Sequence, residues 1–159
     1  MNIGLFGGTF DPIHKGHLAL ATAARDRCQL GRIYFVPTNL PPHKTSQPVA
    51  SFFHRYAMTV LASQGEKAFV PSLLEAPGEF VLQDKKTARS SIASSPNYSI
   101  DTIRKLKREL KKSDRLFFLI GIDAFKDIAK WHESDALFSE CAFIVASRPG
   151  YSLDRKSVV

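Results

Sequence analysis

The sequence predicts an α/β fold, a doubly wound parallel sheet of about five strands with helices on both faces. Short β-rich runs alternate with longer segments of helical spacing, which is the signature of parallel βαβ units. The first of these runs, residues 2–6, is apolar on both sides of its pleat, as a strand covered by helices on both faces must be. The chain has 159 residues, 44% of them hydrophobic. That suffices for one sizeable core and is too little for two ordinary domains, so residues 1–159 are expected to form a single domain.

After a Gly7-Gly8 turn, a helix is predicted over 15–27, where His17, Leu20, Ala21, Ala24 and Cys28 recur on one face. The small apolar residues of that face suit close packing on a sheet. The second strand, 32–37, runs into Thr38-Asn39-Leu40-Pro41-Pro42-His43-Lys44, where two prolines stiffen the backbone and exclude helix. Ser51 is the predicted cap of a helix with Phe53, Ala57, Val60 and Leu61 as its buried stripe, and a third strand follows at 68–73. Residues 75–96 are polar and rich in Ser and Lys, with a short strand at 80–82; a stretch of this kind is expected to be a lid or mobile. Ser99 is the predicted cap of the next helix, which turns Ile103, Leu106 and Leu110 inward. Residues 116–120 and 142–146 make the fourth and fifth strands, with short helical pieces around 124–129 and 135–140.

The net charge of +7 favours an anionic partner, such as nucleotide phosphate, nucleic acid or a membrane surface. Seven of the basic residues fall between Arg104 and Arg115, against two acidic ones, and no aromatic residue interleaves them. A solvated helix face is the expectation for that cluster. No apolar run approaches the roughly 20 residues of a membrane span, and no basic segment precedes the first strand, so the chain is expected to be soluble and cytoplasmic. Cys28 and Cys141 are far apart and outside any C-x-x-C spacing, which predicts buried free thiols and neither a disulfide nor a thiolate metal cage.

The most informative stretch is Gly7-Gly8-Thr9-Phe10-Asp11-Pro12-Ile13-His14-Lys15-Gly16-His17, at the carboxyl end of the first strand, where open α/β sheets place their ligands. Glycines let backbone approach a phosphate closely, and the following helix would aim free N–H groups and its positive dipole end at the anion. Neither G-x-G-x-x-G nor G-x-x-x-x-G-K-[ST] is present, so hydride transfer and P-loop hydrolysis lose support. His14 and His17, three apart, share one side of a helix start. That spacing suits zinc as well as phosphate, and zinc is the weaker choice without H-E-x-x-H or a third ligand nearby. Two histidines in a turn are otherwise solvent-facing or capping, Lys44 is otherwise an exposed loop lysine, Trp131 core or partly buried surface, and Asp123 a helix cap.

Residues 7–17, with His14-Lys15-Gly16-His17 as an H-x-G-H element, resemble the signature of the nucleotidylyltransferase superfamily. Four further matches in order make the bacterial nicotinate-nucleotide adenylyltransferase family the one the chain most resembles: Pro41-Pro42-His43-Lys44, Asn97-Tyr98-Ser99-Ile100-Asp101-Thr102, Gly121-Ile122-Asp123-Ala124-Phe125 followed by Trp131-His132, and Arg148-Pro149-Gly150-Tyr151. The resemblance implies a Rossmann-like sheet and transfer of the adenylyl group of ATP to nicotinate mononucleotide, giving deamido-NAD and pyrophosphate in NAD biosynthesis. It implies His14, His17 and Lys44 as catalytic donors to the triphosphate, none of them a nucleophile. Gly7, Gly8, Thr9, Phe10, Gly121 and Asp123 are implied for ATP, and Tyr98, Ser99, Asp123, Trp131 and Arg148 for the mononucleotide, with the Trp131 region covering the pyridine ring. Mg²⁺ is expected on the ATP phosphates and water, since the sequence offers no dedicated carboxylate cluster.

Three departures accompany the resemblance. The family's Ser-Ser/Ala-Thr-x-Ile-Arg element has no counterpart after Tyr151, residues 75–96 are longer than the family's equivalent, and Ser99 stands where a threonine is usual. Adenylyl transfer to another phosphate acceptor such as pantetheine phosphate is the enzymatic rival, opposed by the Tyr98-Ser99 and Trp131 segments. An inactive nucleotide-binding protein and a nucleic-acid binder using the basic helix are the rivals of other classes.

Overall fold

The computed structural model describes residues 1–39, 48–77 and 98–147. Five parallel strands form one sheet in the order β3-β2-β1-β4-β5. They are β1 (Asn2–Gly8), β2 (Leu30–Pro37), β3 (Phe69–Pro71), β4 (Arg115–Gly121) and β5 (Ala142–Ala146). The helices are α1 (Lys15–Cys28), α2 (Phe52–Ser63), α3 (Ser99–Glu109), α4 (Ile122–Lys126) and α5 (Ser134–Glu140), with a 3₁₀ turn at Ile128–Lys130. The chain builds outward from β1 to β3, then returns to place β4 against the other side of β1. A doubly wound sheet opens its crevice at that reversal, beyond the carboxyl ends of β1 and β4.

The period of two along each strand sorts the core into two layers. Ile3, Leu5, Leu116, Phe118, Ile120, Phe143 and Val145 join Ile100, Ile103 and Leu106 of α3 and Leu137 of α5 in one buried cluster. Phe6, Ile33, Phe35, Phe117, Leu119 and Ile144 join Ala21 and Ala24 of α1 in the other, against which Met58 and Ala62 of α2 pack. The expected α/β sheet with helices on both faces is what the chain forms. The fifth strand has its predicted bounds, and the others differ at their ends. β1 continues through Gly7 and Gly8, which pair with Val36 and Pro37 and are therefore strand and not turn.

Two helices differ from expectation in ways that matter for the site. In α2 the inward residues are Phe52, Arg55, Thr59 and Ser63, whereas Phe53 is 40% and Leu61 66% exposed. Polar residues tolerate this burial because each is bonded: Thr59 Oγ1 donates to the Arg55 carbonyl at 2.9 Å and Ser63 Oγ to the Thr59 carbonyl at 2.9 Å. Ser51 caps the helix as predicted, accepting from the His54 N–H. In α3 the cap position falls on Tyr98, with no side-chain cap bond, and Ser99 is the first helical residue. Thr102 joins Ile103 and Leu106 on the buried side, and Leu110, just past the helix end, is half-buried.

Glu75, expected at the start of a polar loop, is buried. Of the 75–96 stretch expected to be a lid or mobile, residues 75–77 are described; the rest, with the expected strand at 80–82, lies outside the described residues. Cys141 is a buried free thiol whose burial pushes its pKa up to about 12, while Cys28 is half-buried and not fully enclosed as predicted. Among the described residues no helix is long and apolar enough to cross a membrane.

Candidate active site

The carboxyl end of β1 leads into the turn before α1, and there the two motif histidines cap the helix reciprocally. His14 is the N-cap residue; its Nδ1 accepts the Gly16 N–H at 3.1 Å, while His17 Nδ1 accepts the His14 N–H at 3.1 Å. The rings stack at 3.8 Å with 27° between their planes. An imidazole nitrogen that accepts an N–H carries no proton, so each neutral ring holds its hydrogen on Nε2 and presents Nε2–H as its remaining donor. Burial, and secondarily the neighbouring His14, lower the His17 pKa to about 4, which keeps that ring neutral at ordinary pH. At the start of α1 the Gly16 N–H, expected to be free for an anion, is instead bonded to the His14 ring. The first turn of α1 contains no acidic residue.

Beneath the pair lies Phe10, a non-glycine residue at φ +47° with its ring buried. That ring meets His17 edge-on at 5.0 Å and Phe6 at 5.5 Å. Gly8 has to be glycine here, because a Cβ would lie 2.8 Å from the Phe10 ring. At Gly121, the residue that ends β4, a Cβ would meet nothing within 4 Å, so backbone there is open to close approach.

Two charged residues given no role in the sequence analysis, Arg55 and Asp11, hold the turn in place, and a third, Glu75, is buried nearby. Arg55 is 1% exposed, and its guanidinium donates to the carbonyls of Thr9 at 2.7 Å, Thr38 at 2.6 Å and Ala50 at 3.0 Å. Asp11 accepts from the Val49 N–H at 2.7 Å and the Ala50 N–H at 3.1 Å, one on each oxygen. Glu75 Oε1 accepts from Thr102 Oγ1 at 2.7 Å, whereas its Oε2 and the Thr38 hydroxyl are buried without a partner among the described residues. Burial lowers the Arg55 pKa, opposed by Asp11 and Glu75. Burial raises that of Glu75 to about 7, opposed by the Thr102 bond and the nearby Asn39 backbone. The sequence carried one signal of this. Arg55 is the only Lys, Arg, Asp or Glu of α2, and with Thr59 and Ser63 it forms a polar stripe at i, i+4, i+8 that reads as an outer face.

Across the sheet, the Tyr98 ring at the start of α3 stacks on His132 at 4.2 Å and 28°. Trp131 is half-buried and meets Phe118 of β4 edge-on at 6.3 Å. Ser99 lies in the first turn of α3, and Asp123 is exposed in the first turn of α4. Thus His14, His17 and Phe10 form one cluster beside Gly7, Gly8 and Thr9, and Tyr98, Trp131 and His132 gather at a second. His132 enters as a ring partner of Tyr98. Phe10 is a prop under His17, so what it can offer a ligand is backbone. Lys44 and Arg148 lie outside the described residues. On the basic helix, Arg104 pairs with Glu133 and Lys107 with Glu140, which matches a solvated face with local partners. Among the described residues no three His, Cys, Asp or Glu side chains are grouped to hold a metal ion.

The model of the cytidylyltransferase-like family matches residues 5–158. A protein of Thermus thermophilus named "Probable nicotinate-nucleotide adenylyltransferase" is 41% identical over 156 residues, which cover 97% of this chain and 73% of that protein. One of the same name from Moorella thermoacetica is 39% identical over 153 residues, covering 96% of this chain and 64% of its own length. The chain thus spans less than two thirds of that relative. Among solved structures, the Plasmodium falciparum nicotinic acid mononucleotide adenylyltransferase complexed with NaAD superposes with a TM-score of 0.71 over 98% of this chain and 68% of its own, at 24% identity. That likeness concerns the fold.

Proposed function

The chain belongs to the cytidylyltransferase-like family, and from that premise we propose that it transfers the adenylyl group of ATP to nicotinate mononucleotide, releasing pyrophosphate. The observation that carries this is the histidine pair at the sheet's crevice, whose Nδ1 atoms are committed to backbone and whose Nε2–H donors remain for a ligand. The names of the relatives support the choice of acceptor. In the proposed reaction a phosphate oxygen of the mononucleotide bonds to the α-phosphorus in line, and the bond from that phosphorus to the bridging α–β oxygen breaks. The electron pair departs with pyrophosphate.

His14 and His17 would donate to the triphosphate through Nε2–H, and the neutral His17 ring would orient it without adding positive charge. Cationic neutralisation then falls to Lys44 and to Mg²⁺. Both oxygens of Asp11, the acidic residue of the turn, are occupied by N–H groups, so the site fits a Mg²⁺ ion held by ATP phosphates and water better than one caged by protein carboxylates. Tyr98, Ser99, Asp123, Trp131 and Arg148 would take the mononucleotide, with Gly7, Gly8, Thr9, the Phe10 backbone, Gly121 and Asp123 toward ATP.

The test is pyrophosphate release from ATP with nicotinate mononucleotide, nicotinamide mononucleotide or pantetheine phosphate as acceptor, with the dinucleotide product identified by mass. Turnover with nicotinate mononucleotide well above the others is expected. Preference for pantetheine phosphate would reassign the acceptor, and nucleotide binding without pyrophosphate release from any acceptor would make the chain a binding protein.

A further inference from the structure

We propose that Arg55 is a positioning residue for the histidine pair, acting from beneath the site through the Thr9 carbonyl and assisted by Asp11. The inference rests on the adenylyl-transfer reading for its consequence in turnover and on geometry alone for its consequence in structure. Arg55 bonds three carbonyls from three separate segments: Thr9 after β1, Thr38 after β2, and Ala50 before α2. Asp11 closes the same knot from the other side through the N–H groups of Val49 and Ala50. The Thr38 N–H adds a bond to the Gly8 carbonyl at 2.9 Å.

The bond to Thr9 acts on the peptide plane immediately before Phe10, whose left-handed backbone is unfavourable for a side chain of that size. A guanidinium held at that carbonyl favours the peptide orientation the strained residue requires. The Phe10 ring then sets the plane of His17, and His17 in turn accepts the N–H of His14. Arg55 is thus linked to both imidazoles by three successive contacts without touching either. Lysine cannot replace it, because one ammonium lacks the planar fork that reaches three carbonyls from a fixed position.

The experiment compares Arg55→Lys and Arg55→Met with a control, Leu137→Ala, which opens a cavity in the opposite core layer and is chosen to lower stability without touching the knot. Each folded protein is examined well below its thermal midpoint by ¹⁵N NMR of the imidazole nitrogens, without ligand, and then for kcat and the KM for ATP. In the Arg55 variants the Nε2–H tautomer of His17 should give way to a mixture. kcat should fall roughly 10- to 100-fold, with a smaller change in KM, since misplacing a donor by about an ångström costs on that order. The control should keep the parental tautomer and kcat. Parental imidazole signals in folded Arg55→Lys and Arg55→Met would overturn the proposal, as would equal changes in the control. If the parent protein itself transfers no adenylyl group, the functional reading fails, and the imidazole signals still decide the positioning role.

Discussion

The imidazoles of His14 and His17 lie face to face, 3.8 Å between centroids, each with Nδ1 filled by a backbone N–H. Capping and ligand donation use opposite edges of the same rings. Helix α1 is therefore started by the groups proposed to meet the triphosphate, and the donors are fixed before any ligand arrives.

Removing one ring separates the two roles. His17→Ala should lower kcat about 10²- to 10³-fold, equivalent to roughly 2–4 kcal/mol for a lost preorganised donor. It should lower stability by about 1–3 kcal/mol, since the capping bond to the His14 N–H and the ring contacts with Phe10 and His14 are lost together. Steady-state pyrophosphate release and a thermal melt measure both, and near-parental kcat in the folded variant would remove His17 from the mechanism.

The His17 ring should stay neutral far into acid. Its folded pKa of about 4 lies below the ordinary 6.5, so its contribution to stability is fully present above 6.5 and is lost as pH falls through 4. Titration of its ring proton signals by NMR should give a midpoint near 4. A midpoint near 6.5 would show that the ring is not sequestered by its neighbours.

Glu75 has the opposite sign. Its folded pKa of about 7 lies above the ordinary 4.5, so the folded state retains a proton that the unfolded chain releases, and stability falls as pH rises from 4.5 through 7. Glu75→Gln keeps an acceptor for Thr102 and removes the titration. Relative to the parent it should gain on the order of 1–3 kcal/mol between pH 5 and pH 8. Denaturant unfolding at both pH values tests this, and a difference that does not change with pH would locate the proton elsewhere.

The Tyr98–His132 stack should matter to one substrate only. His132→Ala removes the partner that fixes the Tyr98 ring, which should raise the KM for nicotinate mononucleotide about 3- to 10-fold, in line with the worth of one aromatic pair, and leave the KM for ATP unchanged. Equal increases for both substrates would argue against a mononucleotide site at Tyr98.

The sheet was legible because burial on both faces forces nearly continuous apolar strands, and residues 142–146 could be bounded to the residue. The H-x-G-H element was legible as a phosphate-type motif, but which imidazole nitrogen faces the backbone is geometry that no spacing encodes. Helix α2 misled for a physical reason. Its inward face carries Arg55, Thr59 and Ser63, whose partners are carbonyls, and carbonyls have no letter in a sequence. Its apolar Phe53 and Leu61 face outward. Glu75 was hidden similarly, since its burial depends on Thr102, 27 positions away.

The double duty of His14 also bears on how this protein would respond to engineering. Serine and aspartate are strong N-cap residues, so a library screened for heat resistance would readily accept His14→Ser or His14→Asp. Such variants would survive heating while lacking the Nε2–H donor, and in the aspartate case would set a negative charge where an anion is proposed to sit. Selection for thermostability at this position therefore works against selection for the proposed turnover, and position 14 should be held fixed in any stabilised version meant to carry it out.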